Sequence, residues 1–167
     1  MDLADFTLTT FDQSLGTLDH LLGKAAASEQ GEGLLTARLA PDMHPLATQV
    51  RFTTSQAYNV LNRLYGDAHK TLDTDHATIA EARAHVAEVR GLVAAARNRQ
   101  AAADDAGIEF TLPNGMAFAL SAAEYVRDWA LPQFYFHLTA AYAILRNAGL
   151  PVGKIDYVGY MARHAKR

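Results

Sequence analysis

Apolar residues recur at alternating three- and four-residue steps in four long stretches of this chain, most of them bracketed by helix start and stop chemistry. The clearest run is Ile79, Ala82, Val86, Val89, Val93 and Ala96, opened by Thr78-Ile-Ala-Glu81. There a hydroxyl and a carboxylate are placed to satisfy two orphan N–H groups of a first turn. Glu81, Arg83, Glu88, Arg90 and Arg97 lie off that stripe. One narrow seam predicts a helix over 79–102 that packs on the outside of a bundle. Phe11, Leu15, Leu18 and Leu22, behind a Thr10–Gln13 capping box, predict a helix over 10–29 that ends at Gly31-Glu-Gly33. Asp42-Met-His-Pro45 offers a cap and a first-turn proline. Leu46, Val50, Ala57, Val60, Leu61 and Leu64 then predict a helix over 43–65, closed by Gly66.

The period changes once. Ile108, Phe110 and Leu112 alternate, Asn114-Gly115 accepts positive φ, and Met116, Phe118 and Leu120 alternate again, which predicts a small hairpin. A hairpin alone is marginal in water, so it must lie against helices. Ser121-Ala-Ala-Glu124 opens the last long helix, over 122–148, with apolar residues on most of its sides, as a central helix has. Pro132 predicts a kink near Asp128 to Ala130, and Gly149 stands where a helix-ending glycine belongs. The aromatic tail from Ile155 to Met161 is expected to dock. The reading is a single domain over residues 1–167. Its class is all-α, a four-helix bundle with a long connection between helices two and three and a hairpin before helix four.

Composition narrows the function classes. Half of the 167 residues are hydrophobic, enough for a core without staples, and no cysteine excludes disulfides, thiolate nucleophiles and cysteine-based metal sites. A net charge of −3 argues against nucleic acid as a partner. Trp129 to Leu145 carries no Lys, Arg, Asp or Glu, but these 17 residues are at the short limit for a membrane span and include Pro132, Gln133 and His137. No membrane partner is expected. The first ten residues hold two aspartates and no basic residue, unlike a signal peptide, so the cytoplasm is the expected compartment.

Acid–base or metal chemistry must then come from seven histidines and the carboxylates. No two histidines are three or four residues apart, the spacing that puts two ligands on one helical face. His137 lies mid-helix in the uncharged segment with Gln133 one turn before it, a pair able to bind a ligand or to satisfy each other as buried polar groups. His44 and Asp42 stand at the start of helix two. There His44 either faces the same cavity as His137 or is a surface residue of the capping region. Glu81, His85 and Glu88 read as a solvated face. His20, His69, His76 and His164 lie in polar surroundings and receive no role. No serine elbow or phosphate loop is present, and no motif commits the chain to a reaction.

Leu39-Ala-Pro-Asp-Met43, Leu112-Pro-Asn-Gly115, Leu131-Pro-Gln-Phe-Tyr-Phe-His137, Tyr142-Ala-Ile-Leu-Arg146 and Gly153-Lys-Ile-Asp156 together resemble an uncharacterised bacterial family in the DinB-like helical superfamily. The resemblance implies a four-helix bundle with a long helix 2–3 connection, often assembled as a homodimer. It also implies, for the metal-binding members, a histidine on helix two and a His-x-x-x-His pair on helix four around a divalent ion. Here the pair reads Gln133-x-x-x-His137, and Gln49 to Gln56 on helix two contains no histidine. The expectation is therefore a degenerate, metal-free pocket between helices two and four, with candidates Gln133, His137, His44, Asp42 and Gln49. It would take a small molecule, or the chain would act through a dimer surface; no cofactor is predicted. The rival is a Zn-, Ni- or Fe-dependent hydrolase or transferase, with His137 as the one credible ligand. A homodimer is expected because three partners, one with a narrow seam, cover a mostly apolar fourth helix poorly.

Overall fold

Helix one begins earlier than Thr10. In the computed structural model, which describes residues 2–166, the Asp2 side chain accepts the N–H of Asp5 at 2.8 Å, and α1 spans Leu3–Ala26. Thr10 sits inside it, because an earlier carboxylate already satisfies the first turn and Leu8 extends the buried stripe of Phe11, Leu15, Leu18 and Leu22. A 3-10 turn over Gly31–Thr36 tucks Leu34 and Leu35 into the core. Helix α2, Leu46–Tyr65, starts after Pro45, so Asp42 is not its cap. Helix α3, Ile79–Ala96, carries the Thr78–Glu81 capping box and buries the predicted seam, but ends before residue 102.

Strands β1, Gly107–Thr111, and β2, Ala117–Ser121, pair antiparallel with Phe110 opposite Phe118. Gly115, at φ +86°, supplies the turn. The aromatic face of the hairpin meets Trp129 through Phe110 and Phe118, at 5.1 and 5.2 Å between ring centroids. After the Ser121 capping box and a single turn at Ala122–Glu124, the fourth helical column runs as a π-helix over Tyr125–Ala130 before α4, Leu131–Asn147. Pro132 explains that break: it has no N–H to donate, and its ring crowds the carbonyl four residues back, a conflict the wider turn relieves. Gly149, at φ +90°, ends α4, and Leu150 N–H returns to Leu145 O at 3.0 Å.

Helix α1 packs along α3, α2 along α3 and α4, and α4 reaches back to α1, closing the bundle. Gly16 and Gly23 let two arginines of α3 lie flat on α1, with guanidinium carbons 3.4 Å (Arg90) and 3.5 Å (Arg83) from where a Cβ would stand. These side chains pair with Asp12 at 3.1 Å and Asp19 at 2.7 Å, so part of the charged face that lies off the apolar stripe is a cross-helix contact. The fourth helix is less central than its sequence predicts, since Tyr135 and Phe136 stand exposed. The tail docks through α5, Lys154–Tyr157. Tyr157 O accepts from Thr17, its hydroxyl meets Thr139, and Asp156 holds both His20 and Lys24. Ile155 and Met161 stay outside. No helix of the described residues is long and apolar enough to cross a membrane.

Candidate functional site

Gln49 is a polar residue of α2 with 2% exposure, and the core cannot leave its amide unpaired. Its carboxamide NH2 donates to the carbonyl of His44 at 3.3 Å, which fixes the amide's orientation, and its oxygen faces His137 Nδ1 at 2.9 Å. Because that oxygen only accepts, Nδ1 carries the proton and Nε2 holds the lone pair. The partner of His137 is thus Gln49, from the facing helix. Gln133, one turn away on α4, is half-buried and makes no hydrogen bond to His137, contrary to the pairing read from the sequence. Its spacing put it on the right face, but a bond along one helix lost to one across two.

Aromatic rings frame the imidazole. Phe52 lies 5.0 Å from the His137 centroid and Phe136 meets it edge-on at 5.3 Å. The exposed His44 stands edge-on to Phe52 at 5.3 Å, so it approaches the site through that ring, while the Asp42 side chain is exposed and makes no hydrogen bond among the described residues. Burial, with a smaller contribution from His44, pulls the His137 imidazole down to about 4, so the ring is neutral at physiological pH. Nε2 has no partner among the described residues and is not sealed from solvent. It is an open acceptor.

His137 lines a groove of about 410 Å³ with Arg51, Phe52, Ser55, Gln56 and Asn59 of α2, Thr71 and Leu72 of the connection, and Leu112 and Pro113 of the hairpin turn. In that wall the Gln56 Oε1 is buried without a partner, one of two such side-chain atoms among the described residues. Arg51 is already engaged, by Asp75 at 2.7 Å, by the Leu72 carbonyl at 3.2 Å and over the Phe52 ring. A larger cavity of about 590 Å³ lies under the C-terminal tail, where Asp12 pairs with Arg90, and Asp156 with His20.

The donor set does not fit a resident divalent ion. Both ends of the Gln49 amide are committed, and a proton occupies the line between Gln49 and His137. Among the described residues no three His, Cys, Asp or Glu side chains gather as ligands. A catalytic zinc takes three protein ligands; here one nitrogen is open.

Sequence reading missed a second cluster. His85 is half-buried and turned inward: its Nδ1 is 3.0 Å from His76 Nε2, and its Nε2 is 3.1 Å from the Tyr58 hydroxyl. Glu81 serves the cap instead, accepting the N–H groups of Ala77 and Thr78. The one signal was the placement of His85 four residues after a capping glutamate; that His76 returns to it depends on the path of the connection.

A family model described as a domain of unknown function (DUF1993) matches residues 3–158. The chain is also similar to the crystal structure of a DinB family member protein from Shewanella denitrificans. The two are 32% identical, with a TM-score of 0.78 over 94% of this chain and 92% of that one. Among curated proteins none matches.

Proposed function

The chain belongs to the DUF1993 family within the DinB-like bundles, and from that premise we propose that it binds a small neutral ligand bringing hydrogen-bond donors to the groove beside His137. One observation carries this reading: the Nδ1 proton of His137 is spent on Gln49, which leaves Nε2 as an unprotonated acceptor in the groove whose wall also holds the unpaired Gln56 oxygen. A buried acceptor without a partner costs roughly 1–3 kcal/mol, which a ligand N–H or O–H recovers. Phe52, Leu72 and Pro113 supply the apolar wall, and Arg51 disfavours a cation. Benzamide, an aryl ring with a carboxamide NH2, is a suitable probe. Nitrogen-resolved NMR should show the His137 ring shifting on titration, with affinity at least tenfold weaker in His137→Ala and in Gln56→Leu. Gln56→Leu should not lower the thermal midpoint, since it removes the orphan. No shift at His137 overturns the proposal. So does stoichiometric Zn, Ni or Fe in untagged protein that disappears in His137→Ala, the signature of the metal-dependent rival.

The dimer surface we assign to the apolar face of α4. Leu39, Met43, Tyr135, Phe136, Ala140 and Ala143 line a shallow groove of about 430 Å³ with almost no polar lining, and Phe136 is 59% exposed. The small Ala140 and Ala143 let a second copy of the same helix approach closely, in the self-complementary contact a two-fold requires. Wild-type protein at micromolar concentration should scatter light as a dimer and Phe136→Glu as a monomer with unchanged helical content. A monomeric wild type rejects the assignment.

A further inference from the structure

We propose that the connection between α2 and α3 is an acid-sensitive strap, latched by the His76–His85 pair, that loosens below neutral pH and takes one wall of the His137 groove with it. The strap runs along α2. The Asn62 side chain grips the backbone of His69 at 2.9 and 2.8 Å, Arg99 holds Asp67 at 2.9 and 2.7 Å, and Thr48 and Arg51 hold Asp75. Thr71 and Leu72, between these grips, form the groove wall.

The latch has no room for another proton. Ionised Glu88 only accepts, so the Tyr58 hydroxyl donates to it at 3.4 Å and takes the His85 Nε2 proton in return. His85 Nδ1 is then the acceptor, and His76 Nε2–H donates to it across 3.0 Å. His76 Nδ1 is left as a buried lone pair with no partner. A proton added to His85 sets two N–H groups against each other. One added to His76 creates a buried N–H with nothing to receive it. The first event breaks the contact, and the second leaves a buried charge and an unanswered N–H beside it.

The surrounding charges do not rescue it. Asp75 on the strap and Glu81 on α3 favour a charged His76, but Asp75 is engaged by Thr48 and Arg51 of α2, and Glu81 by two backbone N–H groups. Arg51 and His85 itself oppose the charge, and burial opposes it most. Glu88 favours a charged His85, against a larger penalty from burial. On the remaining sides, Glu32 of the 3-10 turn is bound to the Ile79 N–H, and His69 lies against Tyr58 with Asp67 beside it. Both imidazoles are held below the ordinary histidine value. The latch is therefore at full strength above about 6.5 and weakens as pH falls below it. Asp75, held below the usual carboxylate range, stays ionised through that window, so loosening begins at residue 76 and not at the Asp75 end.

Amide hydrogen exchange needs no ligand, so this test fails or succeeds independently of the benzamide titration. Between pH 7.5 and 5.5, after correction for intrinsic rates, protection across residues 69–78 should fall about tenfold while α1 and α3 keep theirs. The double variant His76→Gln/His85→Gln, neutral throughout, should show no such change. If that variant does not fold, ring-nitrogen NMR of the wild type decides. His76 and His85 should then titrate below the ordinary histidine value, in step with shifts at Thr71 and Leu72. Unchanged protection in the wild type, an equal loss in the folded variant, or ordinary titration of both rings without movement of the strap overturns the proposal.

Discussion

Phe134→Ala is expected to lower stability by about 3–5 kcal/mol, the usual range for deleting a buried phenyl ring. Phe134 and Phe11 are both fully buried and stack at 4.2 Å with only 14° between their planes. Two terms therefore disappear together: the apolar area of the ring, and a stacked contact worth about 0.5–1.5 kcal/mol beyond area. Neighbours cannot collapse into the space without dragging α4 toward α1, so a cavity remains. Urea unfolding should show the midpoint falling with an unchanged slope. The thermal midpoint should drop by about 6–20 °C at roughly 2–4 °C per kcal/mol. Total stabilities of domains are only about 5–15 kcal/mol, so this one ring holds a large share of the margin. A loss below about 1 kcal/mol contradicts the packing described above. The effect also bears on the site, because Phe134 fixes the rotation of α4 three residues before His137.

The fold is legible where the physics is local. The Thr78–Glu81 and Ser121–Glu124 boxes, the Asn114-Gly115 turn, the Pro132 break and Gly149 each act within a few residues, and each lies where its chemistry predicts. Local logic fails where two signals compete. Thr10 has the form of a cap, but Asp2 captures the first turn before it, and Asp42 loses helix two to the geometry of Pro45. The site is less legible because its bonds span the chain. Nothing in the spacing Gln133-x-x-x-His137 reveals that the imidazole turns to a carboxamide 88 residues earlier. Gln49 is a candidate on its sequence position, but its role depends on the crossing of α2 and α4. The His76–His85 latch is hidden for the same reason: the two residues are nine apart, with a helix start between them.

Gln49→His combined with Gln133→His is expected to turn this groove into a tight zinc site, whereas the wild type is expected to hold no stoichiometric zinc. Gln49 Oε1 and His137 Nδ1 are 2.9 Å apart, whereas two ligand atoms each about 2.0–2.1 Å from one tetrahedral zinc are separated by about 3.3 Å. The shared proton thus occupies nearly the place a cation would take. Replacing the carboxamide by an imidazole removes the acceptor that ties up Nδ1, and a histidine one turn before His137 adds a third nitrogen on the same face of α4. Three nitrogens and a water complete the coordination that one open nitrogen cannot. Calorimetric titration with zinc chloride should give one site per chain for the double variant and no saturable site for the wild type. Zinc at a hundredfold excess over Kd should then stabilise the variant by about 2.7 kcal/mol, against an initial cost from leaving the His44 carbonyl without its donor. Each single variant supplies only two nitrogens and should bind at least tenfold more weakly. Equal zinc binding by wild type and double variant would mean that the Gln49–His137 hydrogen bond does not keep the ion out. The groove would then have to be read as a metal centre with water filling the missing positions.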